Sequence, residues 1–151
     1  MITIKRTNSD NIDFIKLVKE LDKSLGVYYK DEKSFYEELN NIDKIKYAVV
    51  AYNENEKPVG CGGIKKYSKN EVEIKRIFVP TAYRGKGIAT IVLKELENWS
   101  KDLEFEKCIL ETLKEKPYAI AFYEKNKYKE IPNFGEYKNA ENSICFEKEI
   151  K

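Results

Sequence analysis

Arg84-Gly85-Lys86-Gly87-Ile88-Ala89 sets two glycines two positions apart beside two cations. Neither glycine carries a Cβ, so backbone N–H groups there can approach an anion closely and the chain can turn left-handed. The run lies between a β-patterned segment ending at Val79 and a helical pattern beginning near Gly87. A helix start presents unpaired N–H groups and the positive end of its dipole, which together suit a phosphorylated ligand. Arg84 stands out because only three of the 28 basic residues are Arg. Two common phosphate motifs fail on spacing. No G-x-x-x-x-G-K-[ST] run exists, and the dinucleotide fingerprint would need Gly at the position held by Thr90.

The chain has no His. Ser-His-Asp and Cys-His nucleophile pairs cannot be built, nor can His-ligated metal sites. Acid–base work falls to Glu, Asp, Tyr, Lys or Cys. Cys61, Cys108 and Cys145 are isolated and flanked by apolar residues. They read as buried thiols, not as a disulfide framework or a zinc site.

A length of 151 residues fits one domain, spanning 1–151. Hydrophobic content of 42% argues for a packed core despite 36% charged residues. The net charge of +2 is spread along the chain, so no nucleic-acid footprint is expected. No apolar stretch approaches the roughly 18 residues of a membrane span, and the N-terminus lacks a signal-peptide core, so a cytoplasmic protein is expected.

Hydrophobic periodicity then places these residues on elements. Ile2–Lys5 reads as a first strand. Asp10 or Asn11 caps a helix carrying Phe14, Leu17, Val18, Leu21 and Leu25, which Gly26 stops. Lys33–Leu39 forms a second helix capped by Asp31. Tyr47–Tyr52 and Val59–Ile64 make a hairpin in which Gly60, Gly62 and Gly63 mark a close approach or a bulge. Val72–Val79 is the longest strand. Ile88, Ile91, Val92, Leu96 and Trp99 recur on one face of a helix reaching Ser100. Lys107–Thr112 is a buried strand, and Pro117 opens a helix through Asn126. Tyr128–Ile131 and Ser143–Glu149 are two more strands. Hairpins first and crossovers later imply a mixed sheet of about seven strands with about four helices packed on both faces, an α/β (α+β) fold, not a doubly wound one.

Two motifs now carry a resemblance. Tyr83-Arg84-Gly85-Lys86-Gly87-Ile88-Ala89 after Glu73–Pro80, and Ala119-Ile120-Ala121-Phe122-Tyr123-Glu124-Lys125-Asn126 further on, resemble the two hallmarks of the GNAT superfamily of acyl-CoA-dependent N-acyltransferases. The likeness runs from the first strand to the last. It departs where the family often has Asn, here Lys116, and where it usually has Gly, here Lys127, so that Asn126 becomes the candidate left-handed cap.

The resemblance implies that acetyl-CoA, as co-substrate and without a metal, lies where strands Glu71–Val79 and Lys107–Thr112 splay apart. Its pyrophosphate would rest on backbone N–H groups of Arg84, Gly85, Lys86, Gly87, Ile88 and Ala89, with the Thr90 hydroxyl as an extra donor. Ile77, Phe78 and Val79 would pair with the pantetheine amides, and Lys116 and Phe122 would border the cofactor. Tyr123 would protonate the departing thiolate, and Glu73, through a water, would deprotonate the amine. Leu21, Leu25, Tyr28, Tyr29, Phe35, Tyr36 and Pro132–Tyr137 would wall the acceptor pocket or simply close the core. The implied activity is direct acetyl transfer to a primary amine of a small molecule in a ternary complex. A non-catalytic acyl-CoA-binding sensor and a protein or peptide N-acetyltransferase are the alternatives. No nucleic acid or membrane partner is expected, and an edge at the final strands could support a homodimer.

Overall fold

A computed structural model describes residues 1–42 and 45–151. In chain order the elements are β1 (Thr3–Thr7), α1 (Ile12–Ser24), α2 (Glu32–Ile42), β2 (Tyr47–Tyr52), β3 (Pro58–Lys66), β4 (Glu71–Phe78), α3 (Ile88–Asp102), β5 (Lys107–Leu113), α4 (Pro117–Lys125), β6 (Lys129–Ile131) and β7 (Ser143–Glu149). Short 3-10 turns occur at Thr81–Tyr83 and Gly135–Tyr137. The strands form a mixed seven-stranded sheet in the order β1-β2-β3-β4-β5-β7-β6. Each element expected from periodicity is present, and the local signals explain why. The Asn11 side chain accepts the Phe14 N–H to start α1 at 3.0 Å, and Asp31 accepts from Ser34 N–H at 2.8 Å at the start of α2. Gly26, at φ +84°, lets the chain leave α1.

By its internal contacts the chain forms two compact units, 1–65 with 75–96 and 66–74 with 97–151. β4 and α3 each contribute residues to both.

The first unit is built on the β1–β2–β3 meander. β2 pairs antiparallel with β1 and with β3, and between Ala51 and Tyr52 the register to β3 slips by one, leaving Val59 as the extra residue. Phe14, Leu17 and Val18 of α1, Phe35 of α2, and Ile45, Ala48, Val50, Cys61 and Phe78 make one buried cluster. The glycine-rich hairpin strand marks close approach by side chains: a Cβ on Gly62 would lie 2.8 Å from Ile77 Cδ1 and 2.9 Å from Leu96 Cδ1.

Periodicity does not reveal Arg76. It sits inside β4 at φ +62°, a left-handed conformation that costs an L-residue roughly 1–2 kcal/mol. Its surroundings hold it there. The guanidinium Nη1 donates to Asp22 Oδ1 at 2.9 Å, and the Arg76 carbonyl accepts the Cys61 thiol at 3.4 Å. Tyr29 donates to the other oxygen of Asp22 at 2.6 Å. Burial and this bond to Asp22 push the Tyr29 hydroxyl up to about 12.

In the second unit β5 lies between two partners. It pairs antiparallel with β7 along its whole length, from Lys107–Glu149 to Leu113–Ser143. Its parallel ladder with β4 has only three pairs, Glu71–Lys107, Val72–Cys108 and Glu73–Ile109. Tyr128 donates to the buried Glu97 at 2.8 Å, and Lys148 reaches the other Glu97 oxygen at 3.0 Å. The left-handed position after α4 corrects the expectation at Asn126. Asn126 has φ −89°, while Lys127 itself stands at φ +75°. Asn126 instead turns its side-chain amide back onto the Phe122 carbonyl at 2.8 Å, which needs ordinary right-handed backbone.

Asp22→Asn leaves the Arg76 charge buried without its counter-charge. A loss of about 3–5 kcal/mol in unfolding free energy is expected from denaturant melts, the usual cost of breaking a buried pair. An unchanged midpoint would show that the pair does not hold β4.

Candidate active site

In the first unit, β4 ends at Phe78 and the turn Thr81–Tyr83 delivers the chain to an exposed loop at Arg84–Gly87. Gly85 (φ +80°) and Gly87 (φ +78°) are both left-handed, and a Cβ at either would meet nothing within 4 Å. Glycine is therefore required by conformation, and the loop faces open space. The Ile91 N–H bonds the Gly87 carbonyl at 3.2 Å, so the N–H groups of Ile88, Ala89 and Thr90 lie ahead of the first intrahelical bond. The first turn of α3 carries no acidic side chain. Alternating left-handed residues that run into a free helix start form an anion-binding concavity, and a diphosphate fits this donor set.

Arg84 departs from the expected bare charge. Its Nε donates to the Val79 carbonyl at 2.7 Å, and its guanidinium carbon lies 5.9 Å from the centre of the Phe78 ring. The side chain thus staples the loop to the end of β4. Lys86 is exposed, Thr90 is half-buried, and Ile88 is buried.

The second unit holds Glu73 and Tyr123. Paired residues of a parallel ladder project to the same side, so Glu73 shares a sheet face with Ile109 and, two residues on, Glu111. Glu111 in turn pairs with Cys145. Glu73 is 8% exposed and accepts the Tyr137 hydroxyl at 2.9 Å. Burial first, then the Glu73 charge, push the Tyr137 hydroxyl far above the ordinary range, so it stays a neutral donor. Glu111 is half-buried and accepts the Ser143 hydroxyl at 2.5 Å.

Tyr123 approaches from α4. Its ring packs edge-on against Phe122 at 5.1 Å and Tyr128 at 5.8 Å, and tilted against Phe146 at 6.3 Å. Phe146 pairs with Leu110 and so belongs to the face opposite Glu73 and Glu111. The Tyr123 residue is 9% exposed, yet its hydroxyl makes no hydrogen bond to a described residue. Tyr29, Tyr52, Tyr128 and Tyr137 each donate to a carboxylate. Burial, and then the Glu111 charge, hold the Tyr123 hydroxyl above its ordinary value of 10.0. A protonated phenol without a fixed partner can give its proton to a developing anion.

The remaining expected residues divide. Lys116 is the N-cap of α4 but makes no side-chain capping bond, and Phe122 is half-buried. Phe35 is core at 1% exposure, and Tyr29 is committed to Asp22, whereas Tyr28 is 85% exposed. All three cysteines are buried free thiols, and burial raises each one, which opposes thiolate chemistry. Among the described residues no group of three His, Cys, Asp or Glu could hold a metal, and no helix is long and apolar enough to cross a membrane. Periodicity missed Glu111 and Ser143. The available signal was a lone carboxylate inside the apolar run Cys108-Ile109-Leu110-Glu111.

The acetyltransferase (GNAT) family matches residues 14–128. A curated relative, the IAA acetyltransferase of Azospirillum brasilense, is 27% identical over 150 residues, covering 99% of this chain and 98% of its own. A structure from Klebsiella pneumoniae, provisionally classed as an acyl-CoA N-acyltransferase, superposes with a TM-score of 0.83 at 24% identity over 100% of this chain and 99% of its own. The PaiA N-acetyltransferase of Thermoplasma acidophilum, solved with coenzyme A, gives 0.74 at 20% identity, with 99% of each chain covered. The chain belongs to the acetyltransferase (GNAT) family. It is an acyl-CoA-dependent acyltransferase, and acetyl-CoA is its co-substrate.

Gly87→Ala should cost about 1–2 kcal/mol of stability through its left-handed backbone. The same change should weaken coenzyme A binding by calorimetry about tenfold or more, since it disturbs the donors at the start of α3. Unchanged affinity would remove this loop from the diphosphate site.

Proposed function

We propose that the protein transfers the acetyl group of acetyl-CoA to a primary amine of a small molecule by direct attack in a ternary complex. The observation that carries this reading is Tyr123: nine-tenths buried, protonated, and without a hydrogen-bond partner among the described residues. Acyl transfer needs an acid for a thiolate leaving group, and a chain without His has few candidates.

The steps balance as follows. An ammonium acceptor loses one proton to the Glu73 carboxylate, directly or through water, and the free amine nitrogen forms a bond to the thioester carbon. One backbone N–H among Ile77, Phe78 and Val79 receives the oxyanion. The nitrogen sheds its second proton to solvent, the C–S bond breaks, and Tyr123 supplies the proton that leaves with coenzyme A as thiol. Glu73 returns its proton to solvent and Tyr123 takes one back from solvent, for a net release of one proton. The three-pair β4–β5 ladder supports this reading, since β4 continues from Ile74 to Phe78 beyond its last pair with β5. The buried thiols oppose a covalent acetyl-enzyme.

Incubation with acetyl-CoA and a panel of alkyl amines, diamines, aromatic amines, amino acids and peptides tests the reaction, read by thiol release and product mass. An acetylated amine is expected; acetyl-CoA binding with no acetylated product across the panel would favour a sensor instead. Tyr123→Phe should lower kcat about a hundredfold, within the range of general acid catalysis, with little change in acetyl-CoA affinity. Because burial raises this hydroxyl above 10.0, its protonated form persists through the alkaline range. The wild-type rate should therefore show no loss from Tyr123 ionisation up to that pH. Equal rates for mutant and wild type would take Tyr123 out of the mechanism.

A further inference from the structure

We infer that Tyr128 is a positioning residue for the reaction: anchored by Glu97 and Lys148, it holds the Tyr123 ring in the orientation from which the phenol gives its proton. That role depends on the acid function of Tyr123 proposed above. All four residues belong to the second unit. The two tyrosines are joined first through the backbone. α4 ends with Lys127 at φ +75°, with the Lys127 N–H on the Glu124 carbonyl and the Tyr128 N–H on the Tyr123 carbonyl, both at 3.0 Å. This is the Schellman arrangement, in which the residues at its two ends come into side-chain contact. The two rings meet edge-on with centroids 5.8 Å apart.

Contact alone does not fix an aromatic ring, because the torsion about its Cβ–Cγ bond is broad. The polar tip of Tyr128 removes that freedom. It donates to Glu97 at 2.8 Å, and Lys148 holds the other Glu97 oxygen at 3.0 Å. Lys148 Nζ also lies 5.6 Å from the centre of the Tyr128 ring. Glu97 is on α3 and Lys148 on β7, so the ring is clamped from a helix and a strand. Lys148 stands two residues from Phe146, on the sheet face against which Tyr123 packs. A buried carboxylate is a costly way to fill space, since apolar residues of the same volume are often as stabilising. What Glu97, 8% exposed, adds is direction, because a hydrogen bond is angular and apolar packing is not. Burial pushes the Tyr128 hydroxyl far above its ordinary range, so it stays a donor. Tyr123 ends differently. Among the described residues no buried side-chain nitrogen or oxygen lacks a partner, so its unbonded hydroxyl reaches open space while its ring does not. A clamped ring with a free tip suits a proton donor, and a displacement of about 1 Å from reacting geometry can cost about a hundredfold in rate.

The test uses the full chain, saturating acetyl-CoA and the amine of the panel that is acetylated fastest. Tyr128→Phe removes one oxygen and leaves Glu97 paired with Lys148. It should lower kcat about tenfold while the acetyl-CoA Kd by calorimetry stays within about twofold. In a Tyr123→Phe background the same change should alter kcat by less than about twofold, since no acid is left to orient. Glu97→Gln retains an acceptor for the phenol and should keep more of kcat than Tyr128→Phe does. Tyr52→Phe, which deletes a phenol bond to Asp13 within the first unit, should keep the wild-type kcat. Circular dichroism checks that each variant is folded. A wild-type kcat in Tyr128→Phe, a loss that persists without the Tyr123 hydroxyl, or an equal loss in Tyr52→Phe would each overturn the role of Tyr128. Full rate in Tyr128→Phe beside a slow Tyr123→Phe leaves acid catalysis standing. Full rate in Tyr123→Phe, or no acetylated amine at all, sinks the reading on which this role depends.

Discussion

A left-handed residue inside a strand is the constraint on which the rest turns. β4 starts as an ordinary sheet strand, paired with β5 through Glu73, and ends in the segment that runs into the glycine loop. At Arg76 its backbone leaves β geometry, and an ion pair with Asp22 of α1 holds it there. Strain in the backbone and burial of two charges would each be unfavourable alone. Together they are mutually supporting, because the guanidinium that satisfies Asp22 belongs to the residue whose backbone must turn. Tyr29 and the Cys61 thiol complete the set of partners.

Tyrosine does much of the polar work in this chain. With no His and 11 Tyr, the buried carboxylates Asp22, Glu73 and Glu97 and the half-buried Asp13 accept from phenol donors. A neutral donor stabilises a carboxylate without neutralising it, so Glu73 keeps its acceptor chemistry while being almost out of solvent. Tyr123 is buried like Tyr128 but lacks the carboxylate hydrogen bond. That difference separates a structural tyrosine from one available to a reacting group.

The elements were legible because their signals are local. Asn11 and Asp31 cap helices by reaching three residues along the chain, and Gly26 ends α1 through its own φ. The Gly85–Gly87 spacing reports a backbone requirement that any fold must honour at those two positions. Arg76 gave no such sign: a positive φ at a non-glycine residue is imposed by partners distant in sequence. Lys127 tells the same story on a smaller scale, since Asn126 looked like the better left-handed residue until its side chain found the Phe122 carbonyl.

By itself the amino-acid order determined the strand and helix pattern, the phosphate-type loop and the exclusion of His chemistry, while Tyr123 and Glu73 became acid and base candidates through the family resemblance its motifs carry. Periodicity, glycine conformation and residue chemistry are properties a segment carries with it. Tertiary structure alone decided which groups share a surface. The Tyr137–Glu73 bond spans 64 residues, Arg76–Asp22 spans 54 and Ser143–Glu111 spans 32. Such pairs follow from strand register and sheet order, which are settled by the packing of the whole core and cannot be read from any one stretch of chain.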